Sequence, residues 1–172
     1  MTLDGTSPAV MLRRGAVAGL AGVMAEAAWS RREPAMLGGR PPIFDPQRMA
    51  QRLLHRLTGR RPSERTARLC ATAMRSLYGP AWGALGAMPR LVRRPSVRAS
   101  ALVLGSAIWG FELLTLPRVG ATPPAREWTR TEIALDAANA ALFALVTSLV
   151  LAAIDSPRRA SRDRTAAPQP AR

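Results

Sequence analysis

The sequence predicts an all-α protein, an integral membrane four-helix bundle with a short amphipathic surface helix between the first two spans. Two observations carry this prediction. First, four apolar runs of about the length that crosses a bilayer alternate with arginine-rich connections, although the mean hydropathy of the whole chain is close to zero. Second, the third and fourth runs lack the polar face of a soluble surface helix. A soluble helical bundle is the alternative.

The first predicted span, Gly15 to Trp29, reads GAVAGLAGVMAEAAW and follows two arginines. Its length also fits the apolar core of a secretory signal peptide. Glu26 interrupts that core, however, and Trp29 followed by arginines stands where a signal peptide would carry small residues for cleavage. The pattern therefore favours a retained span.

A short surface helix is predicted after the first span, in the segment DPQRMAQRLLHRLTG. Asp45 can cap its N-terminus, Pro46 suits its first turn, and Gly59 suits its end. Arginines flank an apolar stripe formed by Met49, Leu53 and Leu57. Such a helix can lie on a membrane surface with anionic headgroups or pack on the loop face of the bundle, and the sequence leaves both placements open.

The remaining spans differ in clarity. The second, Thr66 to Met88, is the weakest because its apolar run is interrupted by Arg68, Arg75 and Pro80. The third and fourth are clear apolar runs, Ala99 to Leu116 and Ile133 to Ile154. We therefore predict a single four-span membrane domain over residues 1–156, followed by a disordered basic tail over residues 157–172.

An even number of spans places both termini on one side of the membrane. Arginines are nearly balanced between the two sides, so the positive-inside rule alone does not decide the orientation. We expect cytoplasmic termini, because the short connection after the second span and the C-terminal tail place positive charge directly beside span ends. The lipid bilayer, with its anionic headgroups, is the partner that this charge predicts.

The chain carries 25 arginines and no lysine, against 11 acidic residues, for a formal charge of +14. Such a charge also fits a nucleic-acid-binding protein. The basic segments contain few stacking aromatic residues, so nucleic acid is not the expected partner. Cys70 and His55 are the only cysteine and histidine, which excludes an intramolecular disulfide and a cysteine-based zinc cluster. Since no nucleophile–base pair and no set of metal ligands is visible, we predict no enzymatic activity, catalytic residue, metal or cofactor.

Ionisable residues inside the spans form the candidate functional site, because a charge in hydrocarbon is costly unless it meets a partner or water. Since the spans alternate in direction, the three acids fall at one side of the membrane and the arginine enters from that side. The sequence predicts an intramembrane polar cluster of Glu26, Arg75, Glu112, Asp136 and Asn139. We expect Arg75 to contact at least one carboxylate. The alternative is that these groups only fix the register of the helices.

Glycines recur at helical spacing on the first two spans and appear once on the third. Small residues on one face let helices in lipid approach closely. The candidate helix-packing residues are Gly15, Gly19, Gly22, Gly79, Gly83, Gly86 and Gly105.

The segment LPRVGATPP after the third span is predicted to form a fixed turn over the acids, with an ordinary turn at the membrane interface as the alternative. Pro117 would end the helix, Gly120 permits a positive φ, and two further prolines stiffen the loop. Trp128 would then anchor the loop at the level of the headgroups.

Three stretches resemble the YagU-like family of small bacterial inner-membrane proteins: GAVAGLAGVMAEAAW, LYGPAWGALGA and GSAIWGFELLTLPRVGATPP. The resemblance covers about Leu12 to Ile154 and is most specific at the tryptophan-bearing third span and its turn. It implies four membrane helices, a location in the bacterial inner membrane and no established biochemical activity. Members of that family often carry a histidine before the aromatic–glycine pair of the second span and another in the fourth. This chain departs from that pattern, with Arg75 at the first place and Asp136 or Asn139 near the second.

Two classes of function follow. The first is a transport-related or proton-responsive membrane protein whose site is the polar cluster. The second is a non-catalytic interaction or structural subunit, which assembles through its glycine-rich faces with a second copy of the chain or with another membrane protein. A water-filled cavity that reaches the acids would favour the first class, and a dry core with an exposed glycine face would favour the second.

Overall fold

The computed structural model describes residues 7–38, 46–93 and 95–166, and all regular structure in these ranges is helical. The α-helices, numbered in chain order, are α1 (Pro8–Ser30), α2 (Glu33–Met36), α3 (Pro46–Thr58), α4 (Glu64–Ala87), α5 (Val97–Arg118) and α6 (Arg130–Ala166). Short 3-10 helices, Met88–Leu91 and Ala125–Glu127, precede α5 and α6. The predicted all-α class is confirmed.

Hydroxyl side chains fix where the long helices begin. The Oγ atoms of Ser7, Ser63 and Ser96 accept backbone N–H bonds at the starts of α1, α4 and α5, at 3.4, 3.2 and 3.2 Å. At the start of α6, Glu132 Oε2 accepts from the backbone nitrogen and the hydroxyl of Thr129, at 2.6 and 2.8 Å. The backbone nitrogen of Glu132 donates back to Thr129 Oγ1 at 3.3 Å, which completes a capping box. These caps satisfy donors that the first turn of a helix leaves free.

The turn residues behave largely as the sequence predicts. Gly59, after α3, and Gly120, after α5, have φ values of +69° and +71°, a region that favours glycine because it has no Cβ. Pro117, however, lies inside α5, which ends one residue later at Arg118. A proline so near the end of a helix removes only one backbone hydrogen bond, so the last turn can contain it.

The last helix is longer than predicted. α6 continues to Ala166, so the predicted tail of residues 157–172 begins inside this helix. Residues 167–172 of the predicted tail lie outside the described residues, and so does Asp45, the predicted cap of the surface helix.

The four long helices form a bundle that is open along one side. α1 lies between α4 and α6, and α5 packs on α6. α4 and α5 touch near the connection between them, where Gly86 lies against Leu104, and beyond that point their backbones barely approach each other. The gap between α4 and α5 therefore faces away from α1 and α6.

The predicted helix-packing glycines all contact other helices of the same chain. α1 and α4 meet backbone to backbone: a Cβ at Gly19 would overlap the carbonyl group of Gly79, and one at Gly15 would overlap the carbonyl oxygen of Gly83. The others lie against side chains of neighbouring helices, and these are Gly22, Gly86 and Gly105. The small-residue faces are thus used inside the bundle.

Gly19→Ala is expected to lower the free energy of unfolding by about 1–3 kcal/mol, because the added methyl group must displace the α4 backbone. Gly110→Ala is the matched control, since a Cβ at Gly110 has no neighbour within 4 Å and alanine favours a helix over glycine by about 1 kcal/mol. Thermal unfolding of both variants in detergent measures the difference. If Gly19→Ala were as stable as the unmodified chain, the direct contact of the two backbones would be contradicted.

The amphipathic helix α3 packs on the bundle, which is one of the two placements that the sequence leaves open. It contacts α4, and Ala50 is completely buried. The Arg52 guanidinium lies against Gly120, and Arg56 Nη1 donates to the carbonyl oxygen of Arg118 at 3.4 Å. Through these contacts α3 also holds the turn that follows α5.

Two helices are long and apolar enough to cross a membrane. They are Val97–Arg118, with a mean hydropathy of 1.6, and Arg130–Ser156, with a mean hydropathy of 2.1. Only 22% and 33% of the 18-residue apolar segment within each helix is buried in the chain, whereas the core helix of a soluble protein is mostly buried. Within the described ranges, α1 and α4 do not meet the same criterion. Two such helices by themselves give weak support for membrane association.

Candidate functional site

A cavity of about 850 Å³ lies on the open side of the bundle. Residues of α4 and α5 form its walls, residues of α1 and α6 form its floor, and α3 with the turn after α5 borders one end. Its volume falls in the range of small-molecule sites, about 300–1,000 Å³. The cavity exists because α4 and α5 separate beyond the Gly86–Leu104 contact.

All members of the predicted polar cluster line this cavity, namely Glu26, Arg75, Glu112, Asp136 and Asn139. The alternating direction of the helices brings together residues that lie near the ends of some spans and near the starts of others. Glu112 lies within electrostatic range of Glu26 and Asp136. Three helices therefore place three carboxyl groups on one surface.

The predicted contact of Arg75 with a carboxylate is wrong. Arg75 lines the cavity but is exposed, and it forms no hydrogen bond or ion pair with any residue that the structure describes. A guanidinium on a long side chain can keep its charged head in solvent, which avoids the cost of removing its water. Arg75 therefore lies where the cavity opens.

Tyr78 makes the contact that the sequence assigned to Arg75. It lies one helical turn further along α4, and its hydroxyl donates to Glu112 Oε1 at 2.7 Å. Below it, Trp82 packs edge-on against Tyr78 and Phe111, with ring centroids 6.1 and 5.5 Å apart. Sequence reasoning missed Tyr78, although the only tyrosine of the chain stands three residues after Arg75, where it shares a helical face.

The turn after α5 contributes a buried hydroxyl to the cavity. Thr122 is 7% exposed and lines the cavity, and its Oγ1 has no hydrogen-bond partner in the described part of the chain. Trp128 also lines the cavity and is 8% exposed. Its Nε1 donates to the carbonyl oxygen of Pro123 at 2.9 Å. The indole is therefore buried by its own loop, and its predicted placement at the level of the headgroups stays a prediction.

The charge of the cavity is opposite to the charge of the protein. Among the residues that the structure describes, four acids and one arginine line it. The fourth acid is Glu132 of the α6 capping box. With carboxyl groups ionised, the lining is net negative in a chain of formal charge +14, so it attracts cations and repels anions.

A second polar cluster lies at the opposite end of the bundle. Asp155 near the end of the apolar part of α6 accepts from Arg14 Nη1 at 3.2 Å and from Arg90 Nη1 at 2.9 Å. The three side chains are 18%, 12% and 7% exposed. The sequence did not predict this cluster, because the two arginines were placed beside span ends and the acid at the start of the tail. The signal that could have found it is an acid at the end of one span, on the side where arginines flank the other spans.

The lining of the cavity offers several kinds of group that can bind a ligand. No three His, Cys, Asp or Glu side chains in the described ranges are placed to hold a metal ion. His55 and Cys70 are not among the residues that line the cavity. The carboxyl groups, ring faces and hydroxyl can hold a ligand by charge, by apolar contact and by hydrogen bonds. The absence of enzymatic activity stays a prediction from the sequence.

Compared with protein-family models, with curated proteins and with solved structures, the chain matches none of them. The resemblance to the YagU-like family therefore stays a prediction that its quoted segments carry.

Proposed function

We propose that the chain is a multi-pass protein of the bacterial inner membrane, in which α1, α4, α5 and α6 are the four spans. Its acidic cavity binds a small ligand in a transport-related role. The observation that carries this proposal is the cavity itself, which reaches Glu26, Glu112 and Asp136 inside the bundle. Carboxyl groups inside membrane-spanning helices normally mark the path or the site of a ligand.

The outer surface of the bundle supports a membrane location. Large apolar side chains are exposed on all four long helices, and they include Leu20, Met24, Leu69, Leu77, Leu102, Leu114, Leu145 and Leu149. Soluble monomers rarely expose contiguous apolar patches larger than a few hundred Å². Lipid would cover this surface on every side of the bundle, which one protein partner would not.

The position of the helix ends supports termini on one side. The ion pair of Arg14 with Asp155 places the start of α1 next to the end of the apolar part of α6. Arg90 joins them from the connection after α4. Positive charge gathers at this end of the bundle, and it is the end that we assign to the cytoplasm.

The alternative function, a structural subunit that assembles through its glycine faces, is less well supported. The predicted glycine faces contact other helices of the same chain, so they are not available to a partner without opening the bundle. The acids, in contrast, line an accessible cavity. This difference favours the transport-related function over the structural one.

Thiol labelling tests both the cavity and its membrane setting. In a Cys70→Ser background, Thr115→Cys places a thiol on the cavity lining, while Leu114→Cys places one on the outer surface, where Leu114 is 59% exposed. A cationic, water-soluble methanethiosulfonate added to membrane vesicles of both orientations should modify Thr115→Cys roughly tenfold faster, because a thiolate forms in water and not in hydrocarbon.

Two results would contradict the proposed function in different ways. Equal and fast labelling of both thiols would show that the outer surface is in water, which would refute the membrane location. Protection of both thiols would show a dry cavity and would refute the ligand-binding function while leaving the membrane location intact.

A further inference from the structure

The class of ligand follows from the lining of the cavity. Resting on the proposed function, we propose that the cavity binds an amphiphilic organic cation, a molecule with one positive charge on an apolar or aromatic body. The proposal concerns what the cavity recognises, and it depends on three properties of the lining: its sign of charge, its aromatic rings and its size.

The sign of charge selects a cation. Glu26, Glu112 and Asp136 come from three different helices and lie on one cavity surface. The Tyr78 hydroxyl donates to only one oxygen of Glu112, at 2.7 Å, so the carboxyl group can still accept from a ligand. Arg75, the arginine among the described lining residues, is exposed. Because acids outnumber arginines in this lining, an anion of similar shape would meet net repulsion.

The aromatic rings select a cation that has shed part of its water. Tyr78, Trp82, Phe111 and Trp128 all line the cavity. Ring faces attract cations through their quadrupole, most strongly when the cation is weakly hydrated and the site is partly dry. Organic ammonium and phosphonium groups are weakly hydrated, whereas small inorganic ions hold their water. The aromatic lining therefore favours an organic cation.

The size and the apolar lining select a bulky body. A volume of about 850 Å³ greatly exceeds what one inorganic ion fills, and no cluster of metal ligands occurs in the described ranges. Apolar side chains occupy much of the remaining lining, among them Met49, Met74, Leu85, Ile108, Leu135 and Phe143. Their burial against a ligand would contribute free energy in proportion to the apolar area covered.

The buried hydroxyl of Thr122 points independently to an occupant. Thr122 is 7% exposed, its Oγ1 has no partner within the described residues, and it lines the cavity. A buried hydroxyl without a hydrogen bond is costly. A polar group on the ligand, or a water that accompanies it, would satisfy the Thr122 oxygen.

Two isosteric ions of opposite charge test the proposal. The full chain, purified in detergent, is titrated with tetraphenylphosphonium and separately with tetraphenylborate. Binding is followed by the fluorescence of the tryptophans, because Trp82 and Trp128 line the cavity. We expect saturable quenching by the phosphonium ion and only unsaturable partitioning of the borate ion into the micelle.

Neutral isosteres locate the binding site. Glu112→Gln, Asp136→Asn and the double variant remove charge without removing volume, and the double variant is expected to weaken phosphonium binding roughly tenfold or more. Glu64→Gln with Glu127→Gln is the matched control, because these acids have side chains that are 76% and 56% exposed outside the cavity. If the double variant fails to fold, the two single variants are measured instead, with a weakening of a few fold expected for each.

The outcomes separate this proposal from the proposed function. Equal affinity for the borate ion, or unchanged phosphonium affinity in the cavity variants, would overturn the organic-cation proposal. A second outcome concerns the ligand class alone. The chain would stay in the membrane after carbonate extraction and its Thr115→Cys thiol would be labelled from water, but phosphonium binding would not saturate. Recovery of the chain in the soluble fraction would overturn the proposed function itself.

Discussion

Asp155→Ala is expected to lower the free energy of unfolding by about 3–5 kcal/mol, the largest effect of a single substitution in this protein. Removal of this carboxylate leaves the buried Arg90 and the partly buried Arg14 without a counter-charge. Nε and Nη2 of Arg90 already have no hydrogen-bond partner in the described part of the chain, so its remaining bond to Asp155 is the one that offsets its burial. Unfolding by SDS titration in mixed micelles measures the loss.

Glu64→Ala is the control for this prediction. Its ion pair with Arg68 has a similar distance, 3.1 Å, but the side chains are 76% and 66% exposed, so the loss should stay below about 0.5 kcal/mol. Replacing all three members of the buried cluster, with Arg14→Met, Arg90→Met and Asp155→Leu, should restore much of the stability, because no buried charge then remains. Equal losses for Asp155→Ala and Glu64→Ala would show that the cluster is solvated.

Tyr78→Phe is expected to lower the free energy of unfolding by about 1.5–3 kcal/mol, the usual contribution of a hydrogen bond to a charged group. The phenol is the donor that Glu112 meets across the gap between α4 and α5. Removal of the hydroxyl alone keeps the ring and its edge-on contact with Trp82, so the loss reports on the hydrogen bond. The same SDS titration measures it.

A double-mutant cycle isolates the bond across the gap. Tyr78→Phe combined with Glu112→Leu, which removes the acceptor, should cost less than the sum of the single losses, because both substitutions remove the same interaction. Thr72→Val is the control on the same helix, since the exposed Thr72 hydroxyl donates only to the carbonyl oxygen of Arg68 in its own helix, at 2.9 Å. Strict additivity of the two cavity substitutions would contradict a hydrogen bond between α4 and α5.

The sequence predicted the helices and the location of the acids because both are periodic signals. Apolar runs of span length define helices without reference to their neighbours. An acid such as Glu112 inside an apolar run must face the interior, and the alternating direction of the helices then sets the level at which acids meet. Glycine spacing likewise predicted the face that joins α1 to α4, which the contact of Gly19 with Gly79 shows.

The sequence did not predict which side chains pair, because pairing depends on distances between helices. Arg75 and Tyr78 lie on the same face of α4, and only the separation of α4 from α5 decides that the phenol, not the guanidinium, bonds to Glu112. Asp155 was missed for a related reason. It stands at the predicted boundary between span and tail, where a local pattern cannot distinguish a buried ion pair from a solvated end.

The central claim is that α1 and α4 cross the membrane together with α5 and α6, although composition alone marks only the last two as spans. The most direct test is the relative location of two reporters, one inserted after Gly38 and one fused at Arg172. With four spans, Gly38 follows one crossing and Arg172 follows four, so the reporters must lie on opposite sides, with that at Arg172 in the cytoplasm. If only α5 and α6 crossed, both reporters would lie on the same side, and the four-span bundle around the acidic cavity would be refuted.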